Sequence, residues 1–431
     1  KNIYKSEELR KRRVYTFLLI LVYRLGSFIV LPGIDPSVIA EFSASMSNRT
    51  DALSLLNMFS GGAFGNVSIF ALGVMPYISA SIVVQLLGVF VGKFRKMQAE
   101  ESGRRKLNQI TRLLTIVILC IQGPAYISNI MHQYPNAFLV SSKLYILAAT
   151  VILLGGSMFV MWLGERITER GIGNGISLII MIGIIARLPQ AFMAEVLSKA
   201  GSTTGGILLL IVEFVILFFV FVAAIALVQA VRKVPVQYAN RVIGNKQYGG
   251  VRQYIPLKVN ASGVMPIIFA QAIMLFPIIF SRFDATRGFA AAMSNYTGLW
   301  YNLVFGFLVS VFTYFYTAVT FQPNMVAEDM KKNGGFIPGV KPGKKTMEYL
   351  DTIMTRIVLP GSIFLAIIAV LPAIATLCGV NNQFASFYGG TSLLILVGVV
   401  LDTLQQVESH LLMRHYDGLM KTGRLTGRSG M

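Results

Sequence analysis

The chain has 431 residues, 55% of them hydrophobic and only 13% charged, with a mean hydropathy of +0.65 and a formal net charge of +19. A soluble domain carries roughly 25% charged residues, and a folded chain of this size keeps a large accessible surface that this composition has too few polar groups to cover. An ordinary soluble enzyme is excluded and an all-α polytopic membrane protein is indicated, with the surplus of 38 Lys and Arg over 19 Asp and Glu gathered in loops outside the lipid.

The chain starts on Lys1, which points to a trimmed or renumbered beginning, and residues 1–13 are too basic to read as a cleavable signal peptide. Ten stretches reach or approach the ~20 apolar residues that cross a bilayer core. They are 14–31, 67–91, 110–130, 144–163, 174–191, 207–231, 261–281, 299–320, 357–378 and 389–406. Gly73 and Pro76 interrupt the second and Pro266 and Pro277 the seventh. Membrane helices tolerate such breaks when neighbours satisfy the freed backbone groups.

Charge alternates between the loops. Segments 1–13, 92–112, 164–173, 232–260, 321–356 and 407–431 hold 31 Lys and Arg against 12 acids, while the opposite side holds five and five. Basic loops stay in the cytoplasm, so both termini are expected there. Topology and attraction to anionic lipid account for this bias ahead of nucleic-acid binding, and no DNA partner is expected. Segments 232–260 and 321–356 are too long for connectors and too short for independent domains. They read as hairpin-like projections suited to docking a large partner.

Reactive chemistry is missing. His132, His410 and His415 are the three histidines, and no HExxH, CxxC or metal-spaced cluster occurs. No catalytic residue, no metal and no cofactor is therefore expected, and the chain does not read as an enzyme. Cys120 and Cys378 lie in apolar runs and read as small packed hydrophobes. The stretch from Gly339 to Thr346 looks like a phosphate loop but has three residues between its glycines where four are required. Gly171-Ile-Gly173-Asn-Gly175 lacks the βαβ context of a dinucleotide site. Arg24, Glu213 and Asp402 are charges inside spans and read as structural. A proton-coupled transporter would show several acids or histidines at mid-depth, and this chain does not.

Two features remain that suit a conduit. Segment 51–66 is amphipathic, too short to span, and ends in flexible glycines at 61, 62 and 65. A short helix on a glycine hinge can fold back and stopper a cavity, although a helix lying flat at the interface fits the same pattern. The spans also offer aliphatic faces, with Val74 and Ile78 one helical turn apart, Ile176 and Ile180 likewise, and Ile268 and Ile395 on two further spans. A ring of such residues gates water and ions by dewetting. Composition and spacing do not choose between pore lining and ordinary packing.

Several strings are more specific. Asn57-Met-Phe-Ser-Gly-Gly62 followed by Phe70-Ala-Leu-Gly-Val-Met-Pro-Tyr-Ile-Ser-Ala-Ser81 resembles the SecY family, the channel subunits of the bacterial protein-conducting translocon. Glu101-Ser-Gly-Arg-Arg-Lys106, Gly171-Ile-Gly-Asn-Gly-Ile-Ser177, Pro256-Leu-Lys-Val-Asn260, Gly263-Val-Met-Pro266, Phe336-Ile-Pro-Gly with Pro342-Gly, and Gly389-Gly-Thr-Ser-Leu-Leu394 continue the likeness in order over essentially the whole chain.

The resemblance implies ten transmembrane helices in two inverted five-helix halves forming an hourglass channel. It implies an N-terminal half over 1–191, an external linker over 192–206, a C-terminal half over 207–406 and a cytoplasmic tail over 407–431. Val74, Ile78, Ile176, Ile180, Ile268 and Ile395 would form the pore ring. Residues 51–65 would be the plug, with Leu55, Asn57, Met58, Phe59, Ser60, Gly61 and Gly62 at its heart. Gln85 and Gln271 would line a lateral gate between spans two and seven, or simply bond between helices. Arg241, Arg252, Lys341, Lys344 and Lys345 would dock cytosolic partners. Lys341 stands where many relatives carry Arg, which loses the bidentate fork but keeps the charge, so docking is expected to survive.

The implied function is passage of unfolded secretory polypeptides, and lateral release of transmembrane segments, in the bacterial cytoplasmic membrane. The implied partners are the small subunits SecE and SecG, the SecA motor ATPase, the ribosome, signal sequences and nascent chains, and membrane lipid. A secondary transporter of a small solute is the alternative, and a non-conducting membrane scaffold is a second one. A transporter would need convergent polar groups at the midplane, and too few are present.

Overall fold

In the computed structural model the described residues are 7–39, 42–43, 57–138, 143–200, 206–238, 241–243, 246–248, 252–261, 263–274, 288, 293 and 297–422. Leu55 and residues 51–56 lie outside them. The chain divides into two compact units, one of residues 1–47, 55–187 and 398–431, the other of 48–54 and 188–397.

In the first unit α1 (Glu7–Gly26) begins in a charged turn and continues as an apolar stretch. It ends before the expected 31, because the chain turns after Gly26 and then pairs through Val30 with Ser68. The Leu31 amide donates to the Val67 carbonyl at 3.0 Å, and the Ile69 amide to the Ile29 carbonyl at 3.0 Å. This short ladder ties the chain entering the second apolar stretch to the end of α1. For the same reason α2 (Met75–Phe90) is shorter than the expected 67–91, since turns occupy the residues before it. A short α3 (Gly92–Ala99) leads to α4 (Glu101–Gln133), which is followed by α5 (Lys143–Arg170) and α6 (Gly175–Ala200). Helix α4 packs on α2 and on α5, and α1 packs on α5.

The second unit holds α7 (Gly206–Gln229), α8 (Met265–Met274), α9 (Leu299–Thr320), α10 (Pro323–Lys332), α11 (Lys344–Leu377) and α12 (Asn382–Ala385). Helix α13 (Gly390–Thr422) starts there and ends in the first unit. Helices α8 and α11 both pack on α9. Among the described residues seven helices are long and apolar enough to cross a membrane, lying in α4, α5, α6, α7, α9, α11 and α13. The other three expected spans overlap α1, α2 and α8 in part, and residues 275–281 of the seventh lie outside the described residues. Helix α7 is exposed along most of its length, as a lipid-facing helix is.

Strands occur in the loops and join two segments that read from sequence as separate projections. Strand β1 (Val231–Tyr238) pairs antiparallel with β4 (Arg252–Lys258) in a register that sets Val231 opposite Lys258. Between them β2 (Arg241–Ile243) and β3 (Lys246–Tyr248) form their own pair. The hairpin is therefore as expected. The correction concerns segment 321–356: its β5 (Gly335–Phe336) pairs with β1, giving a sheet of order β4-β1-β5. Val234, Val236 and Leu257 from the hairpin share one core with Met330, Ile337, Leu350, Met354 and Val358 from the other segment and α11. Alternation along β1 turns Val234 and Val236 to this core and leaves Lys233 and Pro235 exposed. A second correction concerns Cys120 and Cys378, which are exposed rather than packed inside the chain. On an apolar helix surface a thiol is as compatible with lipid as with a core.

Candidate functional site: a clasped turn before an apolar helix

Residues 57–68 form a knot of tight turns in which all but Gly61 and Asn66 are buried. Asn57 is fully buried and organises it. Its Oδ1 accepts the Gly65 amide at 2.8 Å, and its carbonyl accepts the Gly62 amide at 2.9 Å and the Ser60 hydroxyl at 3.1 Å. Ser60 Oγ in turn accepts the Phe64 amide at 3.0 Å. The expected short helix on a glycine hinge begins in 51–56, outside the described residues; of 57–68 only 57–59 are helical, and Gly61 and Gly62 take φ of +64° and +93°, values that turn the chain back on itself.

Side chains from two helices hold this knot by its carbonyls. From α1, the Tyr23 hydroxyl donates to the Ser60 carbonyl at 3.2 Å and Arg24 Nη1 to the Gly61 carbonyl at 3.1 Å. From α4, the Tyr126 hydroxyl donates to the Phe64 carbonyl at 2.6 Å. Aromatic rings support the donors: Tyr126 lies against Phe64 at 4.6 Å, and Tyr23 stacks on Phe70 at 6.2 Å. Sequence reading gave Arg24 only a structural role and did not single out Tyr23, Tyr126, Gly183 or Arg187. Arg187 stands within the apolar stretch 174–191, which was the readable signal.

The knot leads directly to α2, whose N-cap is Val74. Val74 is buried and Ile78, one turn on, is half-buried, its amide donating to the Val74 carbonyl at 3.1 Å. On α6 Ile176 is half-buried and Ile180 buried; on α8 Ile268 is half-buried; on α13 Ile395 is buried. Val74, Ile78, Ile176 and Ile180 belong to the first unit, Ile268 and Ile395 to the second. Gln85 Nε2 donates to Ser81 Oγ of its own helix at 3.3 Å, and Gln271 is half-buried on α8.

The second unit contains an ionic cluster. Lys199 Nζ stands 2.8 Å from Glu213 Oε1 and 3.7 Å from Glu195 Oε1, and donates to the Gly379 carbonyl at 3.1 Å. Glu195 Oε2 accepts the Asn381 amide at 2.8 Å, and the Tyr388 hydroxyl donates to the Glu213 backbone carbonyl at 2.8 Å. Burial first, and then the negative charges of Glu213 and Glu195, push the Tyr388 hydroxyl above its ordinary range. The cluster pins α6, α7 and the 379–388 turn together. The structural reading of Glu213 fits this position, and the i, i+4 spacing of Glu195 and Lys199 was the sequence signal for the rest.

Of the docking candidates, Lys341 is exposed in the turn between β5 and α11, and Lys344 and Lys345 are exposed at the start of α11, with Lys345 3.2 Å from Glu348. The Thr346 hydroxyl fixes this turn by donating to the Lys341 carbonyl at 3.0 Å. Arg241 lies on β2 and Arg252 on β4. Among the described residues no group of three or more His, Cys, Asp or Glu is placed to hold a metal.

Solved structures share this architecture. One described as a protein-conducting channel aligns with a TM-score of 0.61 at 16% identity, covering 94% of this chain and 93% of that one. Another is Sec61 in a canine ribosome–channel complex from the endoplasmic reticulum, with a TM-score of 0.58, 16% identity and the same coverage. A third, with a TM-score of 0.59, 17% identity and the same coverage, concerns a SecY protein whose plug domain stabilises the closed state of the translocation channel and maintains a membrane seal. The fold is that of the protein-conducting membrane channels. A family model described as SecY matches residues 68–404. The protein translocase subunit SecY of Chlamydia trachomatis serovar D is 38% identical over 452 residues, and that of Thermotoga maritima 40% over 444, each covering 99% of both chains. The chain belongs to the SecY family.

Proposed function

We propose that the chain is the central pore-forming subunit of a protein-conducting channel in the bacterial cytoplasmic membrane, with both termini in the cytoplasm. It passes unfolded secretory polypeptides across and releases transmembrane segments sideways into lipid. Residues 51–65 act as the plug, and the ring proposed from the sequence motifs comprises Val74, Ile78, Ile176, Ile180, Ile268 and Ile395. The observation that carries this reading is the buried 57–68 knot, clasped by its carbonyls immediately before the helix that bears Val74 and Ile78.

An aliphatic ring makes no strong hydrogen bonds, so it grips no particular sequence, and solutes that leave easily are conducted well. An apolar signal sequence partitions between spans two and seven, near Gln85 and Gln271, and opens the seam. Spanning segments leave by the same route according to their hydrophobicity. The subunit carries out no reaction of its own, and the driving energy comes from SecA, the ribosome or the membrane potential. SecE and SecG are its membrane partners. The exposed lysines 341, 344 and 345, with Arg241 and Arg252, form the docking face for SecA or the ribosome.

Single cysteines at Ile78 or Ile180, in a complex engaged with a stalled nascent chain, are expected to crosslink to that chain. A solute transporter or a scaffold gives no crosslink at either position.

A further inference from the structure

The knot at 57–65 touches α6 backbone to backbone. A Cβ added at Gly183 would lie 2.7 Å from the Phe59 carbonyl oxygen and 3.1 Å from the Gly61 nitrogen. Conversely, a Cβ at Gly61 would lie 2.7 Å from Gly183 Cα and 2.8 Å from Arg24 Nη1. Gly61 is thus wedged between the bare backbone of α6 and the guanidinium of Arg24, in a positive-φ conformation that side chains resist. Beside it, the Arg187 guanidinium stands 3.3 Å from where a Cβ on Gly62 would be.

Neither arginine has a carboxylate within 4 Å among the described residues. Cations away from bulk water need acceptors, and the Gly61 carbonyl is the one that Arg24 Nη1 meets here. The seat therefore combines a shape that only glycine permits with a charge-assisted bond that exists only while the knot is in place. Among the described residues it contains no ion pair or disulfide that would have to break on release.

We infer that Gly183 and Arg24 are positioning residues of the channel's seal: Gly183 leaves the space into which the 57–65 segment seats, and Arg24 latches it through the Gly61 carbonyl. The inference rests on reading that segment as the plug. Neither residue need touch a translocating polypeptide to act in this way.

The test measures ion conductance of resting proteoliposomes holding the full channel complex. Five chains are compared with the parent: Gly183→Val, Arg24→Met, a deletion of residues 54–64, and that deletion combined with each of the two substitutions. Gly183→Val and Arg24→Met are each expected to raise the leak several-fold, and neither is expected to add to the leak of the deletion. If Gly183→Val does not assemble, Gly183→Ala and Arg24→Met carry the test. Parent-level conductance in the substituted chains, with a leaking deletion, overturns the seat while leaving the plug intact. An equal rise in the deleted background also overturns it, because the damage is then to α6 itself. A deletion that does not leak overturns the plug reading.

Discussion

The 57–68 knot and the β4-β1-β5 sheet are both short insertions between long helices, yet they are not held in the same way. The sheet rests on an aliphatic core in which Val236, Leu350 and Val358 are at most 2% exposed. The knot buries Met58, Phe59, Ala63, Phe64 and Val67 as well, but adds hydroxyl and guanidinium donors on its carbonyls and a glycine contact. Apolar burial is non-directional and accumulates with area, so it suits a part that stays folded under load. A few directional bonds, each of about 1 kcal/mol net, suit a part that leaves its place and returns. Under the proposed function, the contrast is that between a permanent platform and a removable closure.

The largest expected effect breaks the platform. Leu350→Ala should cost roughly 2–5 kcal/mol, the range for large-to-small changes in a core. Hydrogen exchange should show it as lost protection of the β1 and β4 amides, with the 57–68 amides unchanged. Tyr126→Phe should be smaller, about 1 kcal/mol for the bond to the Phe64 carbonyl, or about a fivefold rise in displaced knot. A modest rise in resting ion leak would report it, and a protected sheet would confirm that the two regions are independent. Smallest in stability is charge reversal at Lys341, Lys344 and Lys345, where exposed substitutions stay within about ±0.5 kcal/mol each. Affinity for the cytosolic motor should nonetheless fall, and its persistence would remove this turn from the docking face.

Much of this was legible in the sequence, for physical reasons that differ by region. Spans such as 299–320 and 207–231 announce themselves because lipid demands an unbroken apolar run, and α9 and α7 match them closely. Helices α4 and α11 are longer than the spans 110–130 and 357–378, since both continue as polar helix into the loops, where hydropathy stops reporting. The knot was legible as a glycine-rich oddity but not as turns. Its bonds run from Tyr23, Arg24 and Tyr126 to backbone carbonyls, and a carbonyl carries no sequence signature. Gly183 was silent for a related reason: a small residue in an apolar helix reads the same whether it faces lipid or another backbone. The pairing of β5 with β1 joins residues about a hundred positions apart, beyond the reach of any local pattern.

Helix α11 supplies Leu350, Met354 and Val358 to the sheet's core and then runs without a break to Leu377. Platform and span are one continuous rod. A body that leans on the strands must therefore tilt the rod along its whole length, or bend it where Pro360 and Pro372 have removed a rung of its backbone ladder. Mechanical work done at one face would in this way reach the bilayer as a change of helix angle, with no ligand, charge or chemical signal carrying the message.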